Sequence, residues 1–163
     1  MPSRYEEAPS QVVNQVQTVI NSSFPAVRNA NISVVFDTKK RSSGGKFVLG
    51  RMMRPNDLIR FLTESNLKPE GVDYVLFLDK LTYEAISEDD QVRIIRHELQ
   101  HCDVDPENEK DPFRLRDHEI TDFYDEIKYN EKDPRWLERV GLVAASVHEK
   151  DKEDEKAAKD GNK

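Results

Sequence analysis

The chain has 163 residues, is 36 % hydrophobic, carries a net charge of −7 and contains one cysteine; this supports one modest core, leaves no room for a second domain of ordinary size, and excludes an internal disulfide. No run approaches the roughly 18 apolar residues of a membrane span, and the opening MPSRYEEAPS lacks the apolar centre of a signal peptide. The acidic total opposes general attraction to nucleic acid, so the composition describes a soluble cytoplasmic protein.

Residues 1–9 read as a flexible N-terminus and residues 10–145 as the single domain. From Ser10 to Asn21, Val12, Val13, Val16, Val19 and Ile20 recur at three- and four-residue spacing, which predicts an amphipathic helix. Ile32 to Phe36 and Lys46 to Met53 are β-branched and aromatic runs separated by Lys39-Lys40-Arg41-Ser42-Ser43-Gly44-Gly45, which predicts a hairpin. Asp57 to Ser65 reads as a short helix or irregular connection, and Asp73 to Leu78 as a strand. A short helix is expected around Thr82 to Ile86.

A stronger helix begins at Ser87, whose hydroxyl can cap it while Glu88, Asp89 and Asp90 favour its first turn. Val92, Ile95, Leu99 and Cys102 make one stripe of this helix, and Ile94, His97, Glu98 and His101 the adjacent one, so it is expected to lie centrally in the fold with three ionisable groups set among apolar ones. Asp103 to Pro112 reads as a loop. A further helix is expected from about Asp117 to Tyr129 with Ile120, Phe123, Tyr124 and Ile127 as its core face, followed by a short segment packed through Trp136, Leu137, Val140, Leu142 and Val143. From residue 146 the chain is almost wholly polar beyond Val147 and is expected to be a disordered charged tail. These elements predict an α+β class with a short, mainly antiparallel sheet of about three strands between an N-terminal helix and C-terminal helices.

The chemistry lies in His97-Glu98-Leu99-Gln100-His101. Two histidines four residues apart on a helix are offset by only about 40°, so both imidazoles can reach one ion of the zinc type. A glutamate directly after the first of them is placed beside such an ion, where it can act as general base toward a zinc-bound water whose pKa the metal brings near 7. Catalytic zinc uses three protein ligands and keeps a fourth position for water. His118 is the candidate third ligand, expected just inside a helix capped by Asp117; Glu119 and Asp122 are the alternatives. Asp105, Asp117 and Asp122 are candidate acceptors for ligand N–H groups.

Gly50, Asp73-Tyr74-Val75, Arg96-His97-Glu98-Leu99-Gln100-His101 and Asp117-His118-Glu119 followed by Phe123 resemble the phage metallopeptidase family, over about residues 10–130. More distantly the layout is similar to SprT-like and other minimal zincins. The resemblance implies a small zincin-like domain, zinc held by His97, His101 and His118, Glu98 as catalytic acid/base, a protein or peptide substrate, and residence in the host cytoplasm if the chain is phage-encoded.

The functional expectation is a zinc-dependent peptidase of the HExxH type, with Glu98 passing a proton from water to the leaving amine. A peptide is expected to add as a strand to an edge formed by Asp73 to Leu78. Tyr124 and Tyr129 are candidate oxyanion donors, although core packing is the usual role of aromatics on a helix face. A competing class is a catalytically silent, zinc-stabilised binding or regulatory module of phage or mobile-element origin, with Cys102 or a carboxylate closing the fourth position. Lys39, Lys40, Arg41, Lys46, Arg51 and Arg54 form a basic stretch that reads as a solvated hairpin tip rather than a nucleic-acid site. The oligomeric state is left open.

Overall fold

The structure is a computed structural model that describes residues 3–118 and 123–160. The chain divides into two compact units, Met1–Asp117 and His118–Lys163. In chain order the first unit holds β1 (Tyr5–Glu7), α1 (Ser10–Ser23), β2 (Ile32–Asp37), β3 (Ser42–Ser43), β4 (Lys46–Phe47), β5 (Gly50–Met53), α2 (Asp57–Leu62), β6 (Tyr74–Asp79), α3 (Lys80–Ala85), α4 (Glu88–Leu99), β7 (Cys102–Val104) and β8 (Phe113–Leu115).

The α+β class holds, and its main element is a four-stranded sheet in the order β1-β2-β6-β5. β1 and β5 run antiparallel to their neighbours, whereas β2 and β6 are parallel, with Ile32 opposite Tyr74 and Asp37 opposite Asp79. The expected hairpin between Ile32–Phe36 and Lys46–Met53 is therefore not formed: β5 crosses over to pair with β6. The reason lies in β6, whose run Tyr-Val-Leu-Phe-Leu is apolar on both faces and belongs inside a sheet. β5, with Gly50 and Arg51, suits an edge. The turn between the two runs keeps only the two-residue strands β3 and β4, closed by Gly44 and Gly45 at φ of 55° and 77°, a region in which glycine has no steric cost.

Val34 and Phe36 of β2, Leu76 and Leu78 of β6 and Met52 of β5 share one face of the sheet, as the alternation of side chains requires. They form one core with Val12, Val16, Val19 and Ile20 of α1 and Ile95 and Leu99 of α4. The spacings 12, 16, 19, 20 and 95, 99 are the helical ones expected from the sequence. Ser87 caps α4, accepting from the Asp90 N–H at 3.2 Å, and Gln15 of α1 donates to Gln91 of α4 at 3.3 Å.

Four expectations need correction. Residues 5–7, expected to be flexible, form β1, because strand pairing needs only backbone groups and Arg4 anchors the segment by two hydrogen bonds to Asp37, at 3.0 and 2.9 Å. α4 ends at Leu99, and Cys102 begins β7 rather than completing the helical stripe. The loop expected over residues 103–112 is bounded by a short hairpin, with Cys102 opposite Leu115 and Val104 opposite Phe113. The Tyr74 hydroxyl fixes that hairpin, lying 3.0 Å from the Asp103 carbonyl and 2.8 Å from the Arg114 carbonyl, so tertiary bonding overrides the local helical tendency of the stripe. Finally, Asp117 and His118 are not helical, and Ile120 lies outside the described residues.

The second unit contains α5 (Tyr124–Tyr129) and α6 (Trp136–Asp160). Of the helix expected from about Asp117 to Tyr129, the described residues contain α5, whose Tyr124, Ile127 and Tyr129 are exposed, as is Phe123 before it. α6 carries Val140, Leu142 and Val143 on a helix of 25 residues rather than a short segment. It continues to Asp160, within the stretch expected to be disordered. Ala, Glu and Lys are strong helix formers, which accounts for a helix with no apolar face in that stretch.

The buried Asp37 makes the first unit sensitive to acid. The Arg4 guanidinium holds its carboxyl below the usual carboxylate range, helped by the Lys39 N–H and by Arg41 and opposed by burial. A lowered folded pKa contributes stability that is present above the unfolded value, about 3.9, and is lost as pH falls through the folded one. Arg4→Met is expected to lower the urea midpoint at pH 7, with the gap to the parent shrinking as the pH is taken below about 4. A gap that stays constant across this range would remove the pair as its cause.

Candidate metal centre

Ile95 and Leu99 are wholly buried and seat one side of α4 in the core. One residue before Leu99, Glu98 is turned toward β5 and is 6 % exposed, whereas His97 is exposed and His101 half-buried. Of the three ionisable groups expected among apolar neighbours, the glutamate alone is buried. A Cβ at Gly50 would lie 2.8 Å from Glu98 Cγ and 2.9 Å from Oε1, so the carboxylate occupies space that glycine leaves open. The Met52 N–H donates to that carboxylate. Burial pushes the Glu98 carboxyl above its usual range, with His101 and the Met52 N–H acting in the opposite direction.

His97 and His101 have ring centroids 5.5 Å apart at an interplanar angle of 78°. His101 follows α4 by one turn residue, Gln100, whose backbone is still right-handed helical at φ −64° and ψ −23°, so the histidine spacing survives the end of the helix. His118 arrives from the other direction, three residues after β8. One ligand atom from each of His97, His101 and His118 lies within 4.8 Å of the others. Donors bonded tetrahedrally to one zinc ion at about 2.0–2.1 Å stand about 3.4 Å apart, so the three ligand atoms must draw together by up to about 1.5 Å, within reach of side-chain rotation at rings that are exposed or half-buried. Three imidazoles are a donor set that suits zinc and related transition metals. The residues fit a metal.

The ring of His101 is oriented by its own chain. Its Nδ1 lies 2.8 Å from the Arg116 carbonyl oxygen; a carbonyl can only accept, so in the neutral ring Nδ1 bears the hydrogen and Nε2 keeps its lone pair. Arg116 closes the arrangement from its side chain as well, donating from Nε to the Gln100 carbonyl at 2.6 Å and from Nη2 to the Gln100 side chain at 2.8 Å. Its backbone N–H donates to the His101 carbonyl at 2.9 Å. The sequence pointed to Asp105, Asp117 and Asp122 for this acceptor role. The group found at His101 is a backbone carbonyl, which no residue type announces; Asp105 is paired with Arg114 at 2.7 Å. Glu119 and Asp122, the alternative ligands, lie outside the described residues. Cys102 packs against the core, and burial pushes its thiol up to about 12, with Glu98 adding to the shift. Among the described residues the group of converging donors is His97, His101 and His118, without Cys102.

A family model described as "Putative phage metallopeptidase" matches residues 3–147. The chain belongs to the phage metallopeptidase family. The match takes in the whole of the first unit apart from its first two residues, and extends the resemblance read from residues 10–130 in both directions. Membership fits a centre in which three imidazoles stand beside a buried carboxylate. No curated protein and no solved structure matches the chain. Among the described residues no helix is long and apolar enough to cross a membrane.

Proposed function

We propose that the chain is a zinc-dependent peptidase in which His97, His101 and His118 hold the metal and Glu98 is the general acid/base. The observation that carries this is the convergence of three imidazole donors within 4.8 Å next to a carboxylate that is buried and held by the Met52 N–H; family membership supports it independently. When bound, zinc supplies Lewis-acid chemistry, polarising a carbonyl and acidifying water. Glu98 supplies the proton path. Its carboxylate takes the proton released as water oxygen bonds to the scissile carbon, and returns it to the amine nitrogen as the C–N bond breaks. A carboxyl whose burial raises its pKa is suited to both halves, because the protonated form is not prohibitively acidic at neutral pH. His101 is kept in its metal-binding tautomer by Arg116.

The strand able to receive a peptide is β5 and not the one expected. β6, predicted as an edge, lies between β2 and β5 with Tyr74, Leu76 and Leu78 fully buried. β5 is at the end of the sheet and touches Glu98 through Gly50 and Met52. A substrate strand added along β5 would bring its backbone to the carboxylate.

The test is metal removal. The full chain loaded with zinc is expected to cleave an unfolded protein substrate, to lose that activity on chelation, and to regain it when one equivalent of zinc is restored. Cleavage that persists unchanged in the metal-free protein would contradict the proposal, and a zinc-loaded protein without cleavage would favour a silent zinc-stabilised binding module.

A further inference from the structure

β2 and β6 run parallel and end together at Asp37 and Asp79, on the face of the sheet opposite to α1 and α4. The space beyond the carboxyl ends of parallel strands gathers side chains from the loops that follow, and ligands of open sheets are bound there. In this chain Lys39 and Arg41, from the loop after β2, and Arg51 of β5 line a pocket there together with Asp37, Phe77 and Asp79. It is a shallow, open-mouthed pocket whose empty space of about 220 Å³ includes open solvent, so a small group would be held at its mouth and remain partly in water.

The charges in the pocket are unevenly satisfied. Asp37 is already engaged by both donors of Arg4, by the Lys39 N–H and, at 3.5 Å, by Arg41 Nε, and Asp79 accepts from the Thr82 N–H at the start of α3; Arg41 still has its two terminal nitrogens to offer. Three cations, Lys39, Arg41 and Arg51, line the pocket beside two carboxylates, one of which, Asp37, is also paired with Arg4 from outside the lining. Arg51 lies 4.7 Å over the Phe77 ring, and its Nε is buried without a hydrogen-bond partner among the described residues. A buried guanidinium N–H without an acceptor is costly. The Lys39 ammonium forms no ion pair among the described residues. We propose that this pocket binds a phosphoryl group, either free phosphate or the terminal phosphoryl of a small phosphomonoester. A planar, singly charged carboxylate meets the two resident carboxylates with one charge. A tetrahedral oxyanion of charge near −2 gains from the surplus of cations and can accept from Lys39, Arg41 and Arg51 in different directions.

The test is a titration of the full chain with inorganic phosphate, with glycerol phosphate and with acetate at constant ionic strength, followed by calorimetry and amide chemical shifts. Saturable binding of phosphate is expected, weakened about tenfold or more in both Lys39→Ala and Arg51→Gln and not matched by acetate. Equal binding of glycerol phosphate assigns the site to a terminal phosphoryl group, and its exclusion assigns the site to the free ion. Lys39 is exposed, so that variant is expected to fold as the parent does. Absence of saturable phosphate binding, binding unchanged by Lys39→Ala, or acetate binding as tightly as phosphate would overturn the proposal. None of these readouts depends on peptidase activity.

Discussion

Glu98→Gln is expected to keep its full complement of zinc and to cleave peptides about 10²–10⁴ times more slowly than the parent. Glutamine has the shape of glutamate and retains a carbonyl oxygen for the Met52 N–H, so the local structure has no reason to move. The histidines are untouched. What is lost is the ability to take a proton from water and to hand it to the leaving nitrogen. Stability gives a second signature: because burial disfavours the charged Glu98 carboxylate in the folded chain, the neutral amide is expected to leave the melting temperature equal to that of the parent or higher. Metal content by mass spectrometry, turnover and thermal melting measured on the same preparation separate these effects. Cleavage at the parental rate would take the acid/base role away from Glu98.

Gly50→Ala is the second large effect, and it acts through the same carboxylate. The added Cβ would fall 2.8 Å from Glu98 Cγ, 2.9 Å from Oε1 and 3.0 Å from Cδ. Glu98 is enclosed, so it cannot simply swing into solvent. Overpacking of this kind costs about 1–3 kcal/mol, and displacement of a reacting group by about 1 Å lowers a rate about 10²-fold. The φ of Gly50 is not positive, so alanine is compatible with the backbone and the contact alone is tested. Gly44→Ala makes the matching control, since Gly44 has positive φ and no atom within 4 Å of its would-be Cβ; backbone strain there is expected to leave kcat unchanged. Steady-state kinetics and urea midpoints check both variants. Equal turnover in Gly50→Ala and the parent would show that the carboxylate does not need the space glycine leaves.

Much of the centre is legible in the sequence because it is local. The HELQH spacing, the Ser87 cap and the apolar stripe through Ile95 and Leu99 all lie within fifteen residues, and helical geometry alone places them. Even there the stripe overreaches: Cys102 has the right spacing and the right character, yet leaves the helix for β7. That departure depends on β8, ten residues or more away, and on the hydroxyl of Tyr74, neither of which a helical period can register. The sheet order is hidden from the sequence for the same reason. An apolar run says that a strand is buried, as with β6, but not which strand lies beside it, so the parallel pairing of β2 with β6 and the crossing of β5 emerge only when the long-range pairs are formed. The orientation of His101 is the least legible feature of all, since it rests on a backbone carbonyl of Arg116, and every residue has one. His118 is legible as a candidate ligand by residue type alone; the helix expected there is absent at that position, and His118 approaches the other two imidazoles from the chain leaving β8.

The most direct measurement is a crystal structure of the zinc-loaded full chain with anomalous diffraction recorded on both sides of the zinc edge. One zinc peak is expected, bonded to nitrogens of His97, His101 and His118 at about 2.0–2.1 Å with Glu98 adjacent and one position open to solvent. A peak elsewhere, or a zinc ion whose fourth position is closed by a protein donor, would contradict the proposed peptidase centre.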